Sequence, residues 1–465
     1  MNRLHKLTLF MLASAASFEL SLSGCSSDDT VLGDILEADG SRLVDGAVAS
    51  EDARVPDDAS DGRDADASDA RDAALDIDAA SEPVVCATQP CATQLVAGDK
   101  YFCALLSDHT ARCWGYGWLG ALGGGELTLP DALNLPPAPV EDLTNATQLS
   151  AAGGTTCART DEGRVRCWGS NDTGQLGLQA SPVITDWAKH WVPSDVDLSV
   201  DATRVDVTPY SVCATTNAGV YCWGQNQHLQ LARANAGATD GPGLADLHGY
   251  DVESVAGGLY NVGRGYNTGS LFGLTRDRKI VGWGIVSGRP SSLRMSAVPV
   301  PLPVHDVTGI AAGSYHACAV AGGSVYCWGS NETGALGTGI PGQAEFPTLP
   351  ARAVLAVTES TAVPQQVAVS SVASCVRMTD GSIQCSGEDR FGQLGRGAPG
   401  SLAPNFGPAT AFTQRAVQVA MSDIATCALV QGGTVHCWGG NKNGELGQGT
   451  RDSEPHPSPV RIVFP

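Results

Sequence analysis

The chain has 465 residues and a formal charge of −21, and residues 26–83 alone hold 18 Asp and Glu against 4 Arg, two-thirds of the net charge in one-eighth of the length. No stripe of Lys and Arg able to displace phosphate counterions is present anywhere, which disfavours nucleic-acid binding. Fifteen cysteines are too many for an ordinary reduced cytosolic protein unless metal or redox chemistry uses them, and all but Cys25 lie in the later part of the chain.

Residues 1–24 read as an export signal. Arg3, His5 and Lys6 give a basic start, and Leu7 to Phe18 form an apolar run too short to serve as a permanent membrane span, with Glu19 directly after it. The segment Leu22-Ser23-Gly24-Cys25 resembles the bacterial lipobox. That resemblance implies that Cys25 receives lipid and begins the mature protein; a plain secretory signal is the alternative. Ser26 in place of an aspartate implies, by the same resemblance, the outer membrane over the inner one. No later apolar run is long enough to cross a bilayer, so membrane attachment is expected through the anchor alone.

Residues 25–83 follow as the lipidated cysteine and a linker of Asp, Ala and Ser in loose alternation, as in Asp57-Asp58-Ala59-Ser60-Asp61-Gly62, with no aromatic residue. Such a composition cannot bury enough apolar surface to offset the entropy of ordering, which predicts a disordered acidic tether. As a random coil it would reach roughly 40 Å, and further with charge repulsion. Asp61, Asp64, Asp66 and Asp69 lack the turn glycine and distal glutamate of a calcium loop.

From residue 84 onward the sequence repeats. Trp-Gly recurs at Trp114, Trp168, Trp223, Trp283, Trp328 and Trp438, and Cys385-Ser386-Gly387 fills the same place once, giving seven units spaced 45 to 60 residues apart. Each unit approximates C-A-x-x, a turn, then V-x-C-W-G-x-N-x-x-G-x-L-G; the second copy runs Cys157-Ala158, Asp161-Glu162-Gly163, Val165-Arg166-Cys167-Trp168-Gly169, Asn171, Gly174-Gln175-Leu176-Gly177. Short Val-, Trp- and Cys-rich segments punctuated by Asp-Gly or Gly-Gly are hairpin signals. Thr147 to Ala151 and Val417 to Ala420 are further strand-like runs. Four short strands per unit at this period indicate propeller blades or a solenoid.

The recurrence of Trp-Gly with G-x-L-G over residues 84–465 resembles the regulator of chromosome condensation repeat family, which implies an all-β, seven-bladed β-propeller of four-stranded blades. In this reading Pro459-Val460-Arg461-Ile462-Val463 is a last strand meeting Leu95-Val96 to close the ring and remove its edges. The repeat tryptophans are core and the glycines serve turns. Six units carry cysteines on either side of a tight turn, Cys103/Cys113, Cys157/Cys167, Cys213/Cys222, Cys318/Cys327, Cys375/Cys385 and Cys427/Cys437, placing each pair face to face across a hairpin at disulfide distance. Cys86 and Cys91 remain as a seventh pair. In the fourth unit an ungapped alignment puts Gly273 and Gly282 at both cysteine positions, and joint loss is what a bond between them predicts. Zinc competes as an explanation but needs four ligands, and no unit supplies a regular His or second Cys pair.

Catalytic constellations are missing: there is no G-x-S-x-G elbow and no H-E-x-x-H pair, and the nine histidines are scattered. No catalytic residue, metal or cofactor is therefore assigned. Segments that depart from the repeat carry the candidates for binding. Gly177 to Val196 reads as an extended connection holding Trp187, His190 and Trp191, and Ala232 to Tyr250 as a longer irregular stretch. The fourth unit diverges after Trp283-Gly284, with Arg289 and Arg294 beyond. Loops just before the first cysteine position carry Tyr101, Tyr260, Tyr315 and His316, an exposed cluster that would suit a recognition surface. The expectation is a monomeric, lipid-anchored module at the cell envelope that binds another protein. A polysaccharide hydrolase or lyase, or a protein inhibitor, is the alternative. The family's namesake role, nucleotide exchange on a nuclear GTPase with chromatin binding, does not extend to a chain with an export signal.

Overall fold

Blade 2 shows how one repeat becomes one sheet. Its second strand (Thr155–Thr160) and third strand (Val165–Asn171) turn back on each other with Cys157 opposite Cys167 and Thr156 opposite Trp168. An inner strand (Ala146–Ala152) and an outer strand (Asp186–Asp195) complete the antiparallel meander. The second and third strands are buried along almost their whole length, which is why they read as near-continuous Val, Cys and Trp runs. The computed structural model describes residues 83–465 apart from 126–132, 235–236, 262–266, 286–294, 342–348 and 359. Across these, seven such four-stranded sheets follow in chain order, making an all-β, seven-bladed propeller. The blades run Ala92–Pro139, Ala146–Asp195, Ala202–Leu244, Val252–Pro301, Val307–Arg352, Pro364–Pro408 and Ala416–Arg461. Cys25 and the tether lie outside the described residues, as do residues 286–294, including Arg289 and Arg294.

The motif N-x-x-G-x-L-G is a hydrogen-bonded turn. In blade 2 the Asn171 carbonyl accepts the Gly174 amide at 3.1 Å, and its side-chain oxygen accepts the Leu176 amide at 3.2 Å. Asn226, Asn331 and Asn441 bond Leu231, Leu336 and Leu446 in the same way, and Asp389 does so for Leu394. The turn ends on Gly177 at φ +60°, where a Cβ would stand 2.8 Å from Nε1 of Trp223 in the next blade. Only glycine fits there, for backbone and for space.

That contact locks blade to blade. Trp168 Nε1 donates to the Ala121 carbonyl at 2.9 Å, Trp223 to Gln175 at 2.9 Å, Trp283 to Gln230 at 2.7 Å, Trp438 to Gln393 at 3.0 Å and Trp114 to Glu445 at 2.9 Å. Each acceptor lies seven residues after the Trp position of the preceding blade, which is Ser386 in the case of Gln393. Ser386, which replaces tryptophan in blade 6, keeps the bond: its hydroxyl donates to the Ala335 carbonyl at 3.2 Å. Phe406 from the outer strand of the same blade (Leu402–Pro408) fills the indole's space, packing over Gly337 where other blades place a tryptophan.

A second lock joins the inner strands. The Gln94 side chain donates to the Leu149 carbonyl at 3.0 Å and accepts the Leu149 amide at 2.7 Å, imitating a strand-to-strand pair across blades 1 and 2. Gln148 does this to Val205 and Gln366 to Val419. In blade 3 the position is Arg204, which forks onto Asp206, and Asp206 accepts the Val255 amide at 2.9 Å.

Two expectations are corrected. The ring does not close by exchange of a strand: the last strand (His456–Arg461) pairs with its neighbour inside blade 7, and Ala92–Pro139 builds blade 1 alone. Each blade is complete within its own stretch of chain. Closure is made by Gln418, which clasps Leu95 at 2.7 and 2.9 Å, by the Trp114–Glu445 bond, and by Val85 and Ala87 donating to Gln431 and Gly432. Phe464, beyond the strand, stands edge-on to Trp114 at 6.0 Å. In blade 4 the cysteine positions are Phe272 and Gly282, not Gly273 and Gly282: Phe272 lies opposite Gly282, one pair from Leu271 opposite Trp283. Blade 4 has the longer hairpin turn of blades 1 and 2, whereas blade 5, with a 9-residue cysteine separation, has the shorter one. An ungapped match between them slips by one residue. Both cysteines are still absent together, and a Phe–Gly pair takes the volume of the disulfide.

All seven expected disulfides are present, Cys86–Cys91 and the six hairpin pairs, the latter with Cα atoms 4.1 Å apart. The six have two spacings. Cys213–Cys222 in blade 3 and Cys318–Cys327 in blade 5 are nine residues apart. Cys103–Cys113, Cys157–Cys167, Cys375–Cys385 and Cys427–Cys437 are ten apart. The difference is one residue in the turn: Thr216 pairs directly with Gly219 in blade 3 and Ala321 with Ser324 in blade 5, so Cys222 and Cys327 still face Cys213 and Cys318 across the ladder. Cys86–Cys91 fixes the leading segment that lies along the hairpin turn of blade 7. Among the described residues no helix is long and apolar enough to cross a membrane.

Candidate functional site

Strand alternation sends two sets of loops to one face of the ring: those joining inner to second strands and those joining third to outer strands. An axial channel of about 230 Å³, lined by inner-strand residues of every blade, opens there. At its mouth lies a second cavity of about 320 Å³, bounded by Lys100 and Tyr116 of blade 1, Asp172 and Trp187 of blade 2, Tyr210 of blade 3 and Ser314 of blade 5.

Carboxyl groups gather at this mouth. Asp99 stands at the rim; walls that withdraw water from it and repulsion from Asp423 push its carboxyl up to about 6, against the pull of Lys100 and of the Gly153 amide. Asp423 is raised by burial, with opposing help from the Ser371 hydroxyl, which donates to it at 2.6 Å, and from Lys100. Glu445, fully buried beneath the mouth, is raised chiefly by burial. Among the described residues no group of three or more His, Cys, Asp or Glu side chains is placed to hold a metal ion.

The sequence candidates separate into two kinds. Trp187 is 70% exposed at the cavity rim. Tyr315 is also exposed on this face, and the neighbouring Tyr210 hydroxyl is raised by burial, then by Asp172, Asp99 and Tyr315. Trp191 is half-buried, with the Lys189 ammonium 5.0 Å from its ring centroid. Tyr260 lies on an inner hairpin of blade 4 (Val252–Asn261 with Asn267–Thr275) whose pairing runs on to Asn261 opposite Asn267, past the length of the other blades. Trp187, His190 and Trp191 occupy the outer strand of blade 2, not a connecting loop, and Thr239–Leu244 within the supposed irregular stretch is the outer strand of blade 3.

Tyr101 and His316 are corrected outright: each is 1% exposed inside a second strand. The Tyr101 hydroxyl reaches Thr156 Oγ1 at 2.8 Å, and His316 Nε2 meets Ser374 Oγ at 2.7 Å, so both are struts to the following blade. Burial depresses His316 to about 3. A histidine kept neutral in the fold contributes its full stability above pH 6.5, and that stability is lost as pH falls towards 3, because only the unfolded chain then takes the proton. The expected loss is about 1.4 kcal/mol per pH unit across that window. His316→Tyr, which copies the strut of blade 1, should therefore gain on the wild type as pH drops from 7 to 4.5 in parallel thermal melts. An unchanged difference between the two would contradict this.

Matches to the Regulator of chromosome condensation (RCC1) repeat cover residues 146–175, 307–335 and 416–445, and a second form of the same repeat covers 322–379 and 432–465. The chain carries RCC1 repeats within its seven-bladed propeller. It is similar to RCC1 domain-containing protein RUG3, mitochondrial, of Arabidopsis thaliana, at 27% identity over 59% of this chain and 61% of that one. It is also similar to the human E3 ubiquitin-protein ligase HERC2, at 24% identity over 75% of this chain and 7% of that one. The chain thus spans less than two-thirds of either relative. Among solved structures, Prp20p of Saccharomyces cerevisiae, which binds Gsp1p and histones, shares the fold with a TM-score of 0.63 at 20% identity, over 83% of this chain and 89% of that one.

A likeness between blades 2 and 7 also accounts for His190. Its Nε2 meets Asp186 at 2.8 Å, and Asn171 of the motif donates to the same carboxylate at 3.3 Å; blade 7 repeats the set as His456, Asp452 and Asn441. His190 holds Asp186 within the outer strand, and Asp186 ties that strand to Asn171 at the end of the third. Sequence reading missed Tyr210, Asp99 and the inner-strand glutamines. A signal existed for the first: Tyr210 precedes Cys213 by three residues, as Tyr315 precedes Cys318 and Lys100 precedes Cys103, whereas buried Tyr101 and His316 stand two before. Strand alternation makes that offset decide between surface and core.

Proposed function

We propose that this RCC1-repeat propeller works at the cell envelope, outside the reducing cytoplasm, as a platform on which another protein docks, anchored through lipid on Cys25 and spaced from an outer membrane by residues 25–83. The observation that carries the docking role is the channel-mouth face, where Trp187 is held 70% exposed beside a cavity rimmed by Tyr116 and Tyr210. An exposed indole next to a concave, tyrosine-rimmed surface is the arrangement of an interface anchor. The hairpin pairs support the compartment, since buried disulfides persist where thiols oxidise. Prp20p, of the same fold, binds proteins.

The test is a pull-down from envelope extracts with the full chain against Trp187→Ala. Since Trp187 makes no core contact, its loss should leave the melt nearly unchanged while the specific partner falls at least tenfold, a loss of about 1.4 kcal/mol or more. Equal capture by the variant would remove this face as the docking surface.

A further inference from the structure

We infer that the cavity at the channel mouth is a subsite for a neutral saccharide, with the Trp187 indole as its stacking platform. This goes beyond protein docking, although it uses the same indole and the same cavity. Trp187 has no role in the blade-to-blade locks, and its exposure is built in. The preceding residue, Asp186, is fixed by His190 Nε2 at 2.8 Å, by the Ala188 amide at 2.9 Å and by Asn171 at 3.3 Å. The backbone beneath the indole is therefore set before any ligand arrives, which lowers the cost of ordering on binding.

The walls opposite the indole are polar and of mixed character. Lys100 donates, Asp99 and Asp172 accept, and the hydroxyls of Tyr116, Tyr210 and Ser314 can do either. A pyranose ring matches both halves: one face is a sheet of C–H groups that covers an aromatic surface, and its rim is hydroxyls that donate and accept. An apolar ligand would strip water from two carboxylates and an ammonium without replacing their hydrogen bonds. An anionic ligand would meet Asp99 and Asp172, with Asp423 close behind, and a cationic one would meet Lys100. At about 320 Å³ the space lies at the small end of ligand cavities, which run roughly 300–1,000 Å³. It suits a short segment of a sugar chain entering from the open side.

The experiment is calorimetry and tryptophan emission on the full chain with chitotetraose and cellotetraose as neutral probes, tetragalacturonate as an anionic one and N-acetylarginine amide as a cationic one. The expected result is saturable heat with at least one neutral tetramer, a blue shift as the exposed indole loses water, and no response to the two charged probes. Trp187→Ala should abolish the shift and weaken binding about tenfold or more. Asp172→Asn, which keeps its side-chain volume, should weaken binding without shifting the melt. No heat from either neutral tetramer at about 10 mM, tenfold above a millimolar Kd, would overturn the assignment, as would equal binding by Trp187→Ala. Binding of N-acetylarginine amide alone would also overturn it, giving the cavity to a cation. A protein partner captured through Trp187 that neither tetramer displaces would leave the docking role standing and remove the saccharide.

Discussion

Reduction is expected to unfold this protein in two stages. Cys86 is partly exposed on the leading segment, so Cys86–Cys91 should open first under a mild dithiol with the fold intact. The sulfurs of the six hairpin pairs are no more than 1% exposed, so they should resist until a blade opens and then go together with the structure. Each hairpin disulfide closes a loop of nine or ten residues, which stabilises by roughly 2–3 kcal/mol in the chain-entropy model. Six of these together match or exceed the net stability of a typical domain, about 5–15 kcal/mol. Urea titration with and without reductant should show the folded baseline shrinking sharply or vanishing once all six are open. A fully reduced ring that kept its urea midpoint would mean that the disulfides add nothing to the fold.

The second large effect belongs to the inter-blade tryptophans. Trp168→Ala removes a side chain with no exposed surface and takes one of two donors from the Ala121 carbonyl, leaving it the Thr156 hydroxyl at 3.0 Å. The expected cost is about 3–5 kcal/mol, seen as a lower urea midpoint with the slope retained. Blade 6 provides the contrast. Ser386 already lacks the indole, so Ser386→Ala loses only one hydrogen bond, about 1 kcal/mol, whereas Phe406→Ala should cost as much as the tryptophan change, because Phe406 occupies that space. If Phe406→Ala proved mild, the exchange of Trp for Ser plus Phe would not be a compensation.

The parts of the fold legible in the sequence were those buried on both faces. The second and third strands must pack cysteine, tryptophan and valine, and the same residues return in most units, blade 4 substituting Phe272 and Gly282 for the cysteines and blade 6 Ser386 for the tryptophan. Outer strands were hidden for the opposite reason. Thr239–Leu244 reads Thr-Asp-Gly-Pro-Gly-Leu, and Asp186–Asp195 carries Lys189, His190 and Pro193. A strand paired on one side tolerates Pro and Gly and needs little apolar alternation. The slip in blade 4 came from turn length, which a local match cannot weigh without a gap: the fifth unit, with Cys318 and Cys327 nine apart, is one residue too short to serve as its template. Ring closure was misread because it depends on Gln418 reaching a residue 323 positions away, an arrangement with no local signature. At the mouth, the exposed aromatics differ from the buried ones by a single position in strand register, and the carboxyl of Asp99 is raised by burial and then by Asp423 from the far end of the chain.

The most direct test is peptide mapping of the native protein by mass spectrometry without reduction, after alkylation in the envelope fraction. The account predicts six hairpin-linked pairs, from Cys103–Cys113 to Cys427–Cys437, together with Cys86–Cys91, and no alkylated cysteine among those fourteen. Alkylation throughout, or links joining cysteines of different blades, would contradict it.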